Sequence, residues 1–217
     1  MNSVHTKGLL REKNLSRDTY FSDLYFSMPQ LCSFSHQLHH IWSMKPKNVL
    51  EIGIGNGFIS EFLKRAGISV TTADINQNLN PDICAPLNEL SRNLNGRKFD
   101  LIICCEVLEH MPLSELDNSL SYLRELGDRL FMTLPNANRT FGIGGLSFIP
   151  KLGSRIINFN FNLPYKHNLT DSPHFWEVGY TNKCTTSAIV KKLKKRYESI
   201  KYGNFSMNPN HIFFECI

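Results

Sequence analysis

Glu106, Glu109 and His110 stand close enough in the sequence to act together in acid–base or metal chemistry. If a helix begins by Glu106, their i, i+3, i+4 spacing places all three side chains on one face. Two carboxylates and an imidazole suit a divalent metal ion, and His174 could supply a fourth ligand. Alternatively, His110 or His174 is the catalytic residue as a general base, because histidine titrates at about pH 6.5. The residues leave both chemistries open.

Three glycines at alternate positions, Gly53, Gly55 and Gly57, predict a turn that binds a ligand. They follow a short apolar run and precede an amphipathic helix, and the next apolar run, residues 68–73, ends at Asp74. This order is typical of the first unit of a nucleotide-binding α/β sheet. Glycine lets the backbone adopt positive φ beside a ligand, and the acid can accept hydrogen bonds from two ribose hydroxyls. We therefore expect a cofactor that contains adenosine.

Glu51 and Phe58 indicate which cofactor this is. Phe58 stands where a dinucleotide fingerprint places its third glycine. The Glu51 carboxylate would repel a pyrophosphate, but it suits a ligand with an ammonium group. S-adenosylmethionine (SAM) carries an α-amino group, a sulfonium and no phosphate. The charge pattern therefore favours SAM over NAD.

Four stretches resemble the motifs of the class I SAM-dependent methyltransferases and cover roughly residues 45–137: EIGIGNG (51–57), ADI (73–75), FDLIICCEVLEH (99–110) and LPN (134–136). The resemblance implies an α/β fold with a doubly wound, mostly parallel seven-stranded sheet that ends in an antiparallel C-terminal strand pair. It also implies a set of cofactor-binding residues, namely Glu51, Gly53, Ile54, Gly55, Gly57, Phe58, Asp74, Ile75, Cys105 and Glu106.

Within that set the resemblance implies separate roles. Glu51 orients the amino group of SAM, Asp74 holds the ribose hydroxyls, Ile75 packs on the adenine, and Cys105 with Glu106 faces the methionine. One position departs from the family. Relatives carry an acid that binds the adenine amino group, and this chain has Pro86 at that position. Asp82 or a backbone carbonyl would have to make the adenine contact instead.

Apolar periodicity and turn residues predict seven strands, at residues 48–52, 69–74, 82–85, 99–106, 129–134, 197–202 and 211–217. A helix is expected over residues 114–126, with Ser114 and Asp117 resembling a capping box. The last two strands are expected to be joined by a turn that contains residues 208–210. Residues 1–17 are expected to be weakly structured, and Pro29 divides the helical pattern of residues 18–44.

At 217 residues with 41% apolar residues, the chain fits one methyltransferase domain over residues 45–217. Residues 1–44 are expected to form a helical segment that covers the cofactor, with Phe21, Tyr25 and Phe26 either touching ligand or packing in the core. Residues 138–173 show little clear periodicity and are rich in Asn, Gly, Phe and Pro. Because this insert follows the fifth strand, we expect it to bind the acceptor.

The composition excludes several classes of protein. The sequence contains no run of about twenty apolar residues, so we expect no transmembrane span. Residues 1–17 lack the apolar stretch of a secretory signal. Six cysteines without a C-x-x-C pair suit a reducing compartment, which favours the cytoplasm. The net charge of +5 is modest, and the basic run at residues 191–196 fits a solvated helix face, although nucleic-acid binding stays open.

The sequence therefore predicts a SAM-dependent methyltransferase that acts on a small-molecule acceptor, at a hydroxyl oxygen. Two alternatives remain. One is a metal-assisted 2′-O-methyltransferase of RNA ends, whose metal site the residues Glu106, Glu109, His110 and His174 resemble. The other is a non-catalytic SAM-binding partner protein. The oligomeric state stays undetermined.

Overall fold

The computed structural model describes residues 7–151, 153–163, 165 and 168–217. Nine strands are present in this part of the chain: β1 (Asn48–Ile52), β2 (Ser69–Asp74), β3 (Ile83–Cys84), β4 (Leu101–Cys105), β5 (Leu130–Pro135), β6 (Arg139–Ile149), β7 (Gly153–Leu163), β8 (Ile200–Phe205) and β9 (Asn208–Cys216). β6 and β7 form a separate hairpin, and the other seven strands form one sheet.

The sheet has the order β3-β2-β1-β4-β5-β9-β8. β1 to β5 run parallel, whereas β9 is antiparallel to β5 and β8. β1 and β4 occupy the centre of the sheet, and their apolar residues are buried on both faces, as is usual for interior parallel strands. The strand order reverses at β1 and β4, which opens a crevice at their carboxyl ends. The fold class predicted from the sequence is confirmed.

Helices cover both faces of the sheet: α1 (Leu9–Lys13), α2 (Met28–Ser43), α3 (Phe58–Arg65), α4 (Leu90–Asn93), α5 (Leu116–Leu126) and α6 (Thr186–Leu193). α2 and α3 bury one apolar core against the sheet, and α4, α5 and α6 bury a second core on the opposite face. The helices form because their apolar residues recur on one side; in α5, for example, Leu116, Leu120 and Leu123 are all buried. In the described part of the chain, no helix is long and apolar enough to cross a membrane.

The start of α5 corrects one local prediction. The helix begins at Leu116, and Ser114 lies in a preceding 3₁₀ turn, Leu113–Glu115. Asp117 forms no capping box because its carboxylate accepts hydrogen bonds from Lys192 and Arg196. An interaction with a distant helix therefore uses the side chain that the local pattern assigned to the cap.

The last strand pair also differs from its prediction. Asn208, Pro209 and Asn210 belong to β9, and the turn falls at residues 206–207. The Asn204 amide donates hydrogen bonds to the carbonyl oxygens of Pro209 (3.2 Å) and His211 (3.1 Å), which holds this segment in the ladder. Tyr197 precedes β8 and is buried in the core instead of beginning the strand.

Two segments are more ordered than expected. Residues 1–6 lie outside the described residues, but residues 9–13 form α1 and a 3₁₀ helix spans Arg17–Phe21. Pro29 lies in the first turn of α2 and marks the start of the helix. Backbone N–H groups in a first turn have no acceptor within the helix, so the N–H that proline lacks costs no hydrogen bond there. The insert at residues 138–173 contains the β6–β7 hairpin, so the expectation of little periodicity was wrong.

Candidate active site

A cavity of about 1180 Å³ opens at the carboxyl ends of β1, β2 and β4. Nine of the ten predicted cofactor residues line it: Glu51, Gly53, Ile54, Gly55, Phe58, Asp74, Ile75, Cys105 and Glu106. Gly57, the tenth, is the N-cap residue of α3 and is not part of the lining. The predicted catalytic residues His110 and His174 line the same cavity, so the two sets of residues share one site.

The turn between β1 and α3 takes the conformation that its glycines permit. Gly53, Gly55 and Gly57 all have positive φ, at 79°, 52° and 76°. A Cβ atom on Gly53 would lie 2.3 Å from Cγ2 of Val107, so this position excludes any side chain. The backbone at Gly53 therefore comes close to the chain that follows β4, and the two ligand-facing segments lie side by side.

Asp74 holds the glycine turn against the end of β2. Its Oδ2 atom accepts a hydrogen bond from the Ile54 N–H (2.9 Å), and its Oδ1 atom accepts one from the Asn76 N–H (2.9 Å). Burial raises the pKa of this carboxyl above its ordinary value, and the backbone N–H groups oppose that rise. A carboxylate accepts up to about four hydrogen bonds, so Asp74 can still accept from ligand hydroxyls.

Glu51 is a buried carboxyl group, 4% exposed, at the end of β1. Burial raises its pKa to about 8. Its Oε2 atom has no hydrogen-bond partner among the residues that the structure describes. A buried acceptor without a partner is costly, and a cationic ligand group in the adjoining cavity would supply the missing donor and charge.

Glu106 departs from the helical spacing that the sequence suggested. It precedes the short 3₁₀ helix Leu108–His110 and has a φ of 54°, so it does not share a helix face with Glu109 and His110. Its Oε2 atom lies 3.4 Å from Nε2 of His211 on β9, and its Oε1 atom is buried without a hydrogen-bond partner in the described residues. The strained backbone at the tip of β4 turns this carboxylate towards the cavity.

Glu109, His110 and His174 line the cavity and lie close to one another. One ligand atom from each lies within 4.8 Å of the other two, and Glu106 is not part of this group. The two imidazole rings meet edge to face, with centroids 5.1 Å apart. Glu109 is fully buried, and this burial together with the charge of Glu106 raises its pKa well above the ordinary value. Neither carboxyl oxygen of Glu109 has a hydrogen-bond partner among the described residues.

A further carboxylate contacts each histidine at Nδ1. Nδ1 of His174 lies 2.9 Å from Oε1 of Glu177, and Nδ1 of His110 lies 3.1 Å from Oε1 of Glu12. When each Nδ1 carries the proton, each Nε2 keeps a lone pair that can accept a proton or bind a metal ion. The arrangement therefore fits either a general base or two imidazole ligands with oriented rings.

Sequence reasoning missed Glu12, because residues 1–17 lack a strong pattern. Burial by itself would raise the pKa of Glu12, but the hydrogen bonds and charges of His110 and Arg11 together outweigh it and lower the pKa. Tyr20 also lines the cavity, with a ring carbon 3.6 Å from the position of a Cβ on Gly55. The sequence carried one weak indication of Glu12, which is the one acid within residues 1–17.

Ile75, Pro86 and Asn88, at or near the positions where the sequence predicts the adenine contact, line the cavity. Asp82 is not among the lining residues, because its carboxylate accepts hydrogen bonds from the N–H (2.8 Å) and hydroxyl (2.9 Å) of Thr72. Of the three aromatic residues expected either to touch ligand or to pack in the core, Tyr25 lines the cavity, whereas Phe21 and Phe26 lie on the surface and do neither.

Comparisons with known proteins agree with this geometry. The sequence profile of a family described as a methyltransferase domain matches residues 28–177. Ubiquinone biosynthesis O-methyltransferase from Coxiella burnetii is 29% identical over 109 residues, which are 44% of this chain and 47% of that protein. The enzyme of the same name from Pseudomonas fluorescens is 29% identical over 125 residues, which are 49% and 53% of the two chains. The chain thus spans about half the length of the curated relatives it matches.

Two solved structures share the fold. N-methyltransferase NodS from Bradyrhizobium japonicum, in complex with S-adenosyl-L-homocysteine (SAH), is 12% identical with a TM-score of 0.63, over 96% of this chain and 95% of that one. A SAM-dependent methyltransferase from Archaeoglobus fulgidus is 14% identical with a TM-score of 0.63, over 92% and 98%. The family predicted from the motifs is therefore confirmed, and the chain belongs to the methyltransferase domain family with the class I SAM-dependent fold.

Proposed function

We propose that this protein transfers the methyl group of SAM to a hydroxyl oxygen of a small-molecule acceptor. One observation carries the proposal: the imidazoles of His110 and His174, each in contact with a carboxylate, face the same cavity as the glycine turn and Asp74. The names of the curated relatives support an O-methyltransferase, since both are enzymes of ubiquinone biosynthesis that methylate oxygen.

The cofactor half of the site supplies binding and orientation. Glu51 would accept hydrogen bonds from the α-ammonium group of SAM, and Asp74 would accept them from the ribose hydroxyls. Ile75 would pack on the adenine, and Cys105 with Glu106 would face the methionine. Asn88 offers an amide where Pro86 replaces the usual acid. Because the sulfonium is already a good leaving group, holding the acceptor in line with the methyl group supplies most of the acceleration.

The acceptor half supplies a base. We assign His110 as the residue that takes the hydroxyl proton on Nε2, while Nδ1 donates to Glu12 and stabilises the imidazolium that forms. His174, with its ring beside that of His110, would orient the acceptor or share the proton. As the carbon–oxygen bond forms, the carbon–sulfur bond breaks and its electron pair returns to sulfur, which leaves SAH.

Two flanking segments would complete the site. Residues 1–44 would cover the cofactor, which is supported by the hydrogen bond from the Asn76 amide to the Leu15 carbonyl oxygen (2.9 Å). Residues 138–173 would help to bind the acceptor, which is supported by the contact between Nδ1 of His110 and the Pro173 carbonyl oxygen (3.4 Å).

Two measurements test the proposal. Calorimetric titration with SAH should give micromolar binding, and a screen of phenols, catechols and sugars should yield SAH only in the presence of an acceptor. His110→Gln should then lower kcat by about 100-fold or more while SAH affinity stays unchanged. SAH binding without turnover on any acceptor would instead favour a non-catalytic SAM-binding partner protein, and no SAH binding would refute the cofactor assignment.

A second candidate is the metal-assisted reaction. The donor set of Glu109, His110 and His174, with Glu12 and Glu177 behind the imidazoles, fits a divalent ion, and the buried oxygens of Glu109 lack partners among the described residues. Such an ion, when bound, would lower the pKa of an acceptor hydroxyl. Titration with Mg²⁺, Mn²⁺ or Zn²⁺ should give binding heat that Glu109→Gln removes, and its absence would leave the general-base reaction. RNA ends become candidate acceptors only if metal binding is observed.

A further inference from the structure

One face of the β6–β7 hairpin carries an apolar stripe over three successive cross-strand pairs. Cross-strand pairing places Phe141 opposite Phe161 and Ile143 opposite Phe159, and Ile157 lies next along the same face. These five side chains are between 52% and 71% exposed. A contiguous exposed apolar stripe is uncommon on a protein surface and marks a site of interaction.

The opposite face packs on the body of the protein in its half next to the sheet, through glycines and asparagines, whereas towards the tip it carries Phe148, which is 70% exposed. A Cβ atom on Gly142 would lie 2.1 Å from the Ser206 carbonyl oxygen, and one on Gly144 would lie 2.3 Å from the Ser206 hydroxyl oxygen. The Asn160 amide donates a hydrogen bond to the Asn204 carbonyl oxygen (2.9 Å). Contacts of Gly142, Gly144 and Asn160 therefore anchor the hairpin, and the face that carries the apolar stripe is turned away from these contacts.

The charges of the hairpin have a single sign. From residue 138 to residue 170 the sequence contains no Asp or Glu, whereas Arg139, Lys151 and Arg155 are basic. Arg139 lies at the base of the apolar face, where it stacks over the Tyr165 ring at 4.1 Å. Arg155 lies on the same face near the tip, and Lys151 is in the connecting turn; both are exposed. Cations thus stand at both ends of the apolar stripe.

We propose that this face binds the surface of an anionic lipid bilayer. The apolar side chains would enter the boundary between headgroups and acyl chains, while the basic side chains would reach the lipid phosphates at either end. A second copy of this chain fits the face less well. Any pairing of two such faces would bring arginines and lysines together without a carboxylate from either hairpin.

Docking in this way would place the mouth of the cavity near the lipid. Asn208 and Asn210 line the cavity, and both follow the Ser206 turn on which the hairpin packs. An acceptor that partitions into the bilayer could then reach the site from the membrane surface. The inference goes beyond the proposed methyl transfer, and its test does not need turnover.

The test is co-sedimentation of the whole protein with vesicles of phosphatidylcholine, alone or with about 30 mol% phosphatidylglycerol. We expect binding to be at least about tenfold stronger to the anionic vesicles and to weaken as salt is raised. Phe159→Ser should lower binding by about tenfold or more, and so should the double variant Lys151→Glu, Arg155→Glu.

Matched controls separate the hairpin from general surface effects. Phe62→Ser changes an equally exposed phenylalanine on α3, and Lys194→Glu with Lys195→Glu makes the same charge change next to α6. Both controls should bind vesicles as the unaltered protein does. SAH affinity checks that each variant is folded. If Phe159→Ser does not fold, the double charge variant, which changes two exposed side chains at the tip of the hairpin, provides the test.

Three results would overturn the proposal. The first is the absence of sedimentation with either kind of vesicle. The second is unchanged vesicle binding by the hairpin variants. The third is a dimer, measured by light scattering, that Phe159→Ser dissociates while vesicles bind nothing, because the face would then be the contact between two copies.

Discussion

Glu51→Gln tests the assignment of the cofactor's ammonium group. The pKa of about 8 for buried Glu51 means that this carboxyl is about 90% protonated at pH 7 in the ligand-free protein. A cationic ligand binds best to the ionised form, so binding must release about 0.9 proton at pH 7. At each pH, the protonated fraction of Glu51 must ionise before the ligand binds, which weakens binding. This weakening is about 25-fold greater at pH 6 than at pH 7.5 for a pKa of about 8, so SAH affinity should rise about 25-fold between these pH values.

The same pKa has a consequence for stability, with a defined sign. Because the folded-state pKa lies above the ordinary value of 4.5, the stabilisation from Glu51 is complete below about pH 4.5 and is lost as the pH rises through about 8. Between pH 6 and 7.5 the ligand-free protein should lose about 2 kcal/mol of unfolding free energy through this group. Glu51→Gln should remove that loss.

Calorimetry measures both quantities. Titration with SAH in two buffers of different ionisation enthalpy gives the number of protons released, and repetition across pH gives the affinity slope. Glu51→Gln should flatten the slope and lower the affinity at pH 7.5 by about tenfold, because a charge-assisted hydrogen bond is lost. Glu61→Gln, on the exposed side of α3, is the matched control. A pH-independent affinity without proton release in the unaltered protein would refute the assignment.

Three further predictions concern the turn, the ribose and the N-terminal helix. Asp74→Ala should lower SAH affinity by about 100-fold through lost hydrogen bonds, whereas Asp82→Ala, bonded only to Thr72 in the described contacts, should leave affinity intact by calorimetry. Gly53→Ala should lower Tm by at least about 4 °C more than Gly67→Ala, because both have positive φ but only Gly53 faces an atom within 4 Å; equal losses would contradict the close approach to Val107. Glu12→Gln should lower kcat by about tenfold or more and speed hydrogen exchange in residues 9–13, and unchanged kinetics would exclude Glu12 from orienting His110.

Much of the lining of the candidate cofactor site could be predicted because its signals are local. The glycine turn, Glu51 and Asp74 lie within 24 consecutive residues, and one amphipathic helix and one strand connect the turn to Asp74. The predicted bounds of β1 and β2 agree with the structure. Periodicity also located β4, β5 and α5 to within two residues at each end.

The hairpin shows a signal that was present but overlooked. In β7, residues 157–163 alternate strictly between apolar residues and asparagine, which is the period of a strand with one apolar face. The partner strand obscures the pattern, because glycines occupy three of its positions. Two of those glycines, Gly142 and Gly144, became interpretable only when the structure placed Ser206 against them.

By itself, the sequence determined the sheet, the glycine turn and the family, because strand and turn preferences depend on neighbouring residues. Tertiary structure alone decided which residues surround His110 and His174. Glu12 meets His110 across 98 positions, and His174 meets Glu109 across 65. Tertiary structure also decided that Glu106 contacts His211 and does not join Glu109, His110 and His174. The positive φ of Glu106 turns its side chain away from the 3₁₀ helix. Contacts between distant segments depend on how helices pack on the sheet, and a local sequence pattern does not encode which distant residues meet.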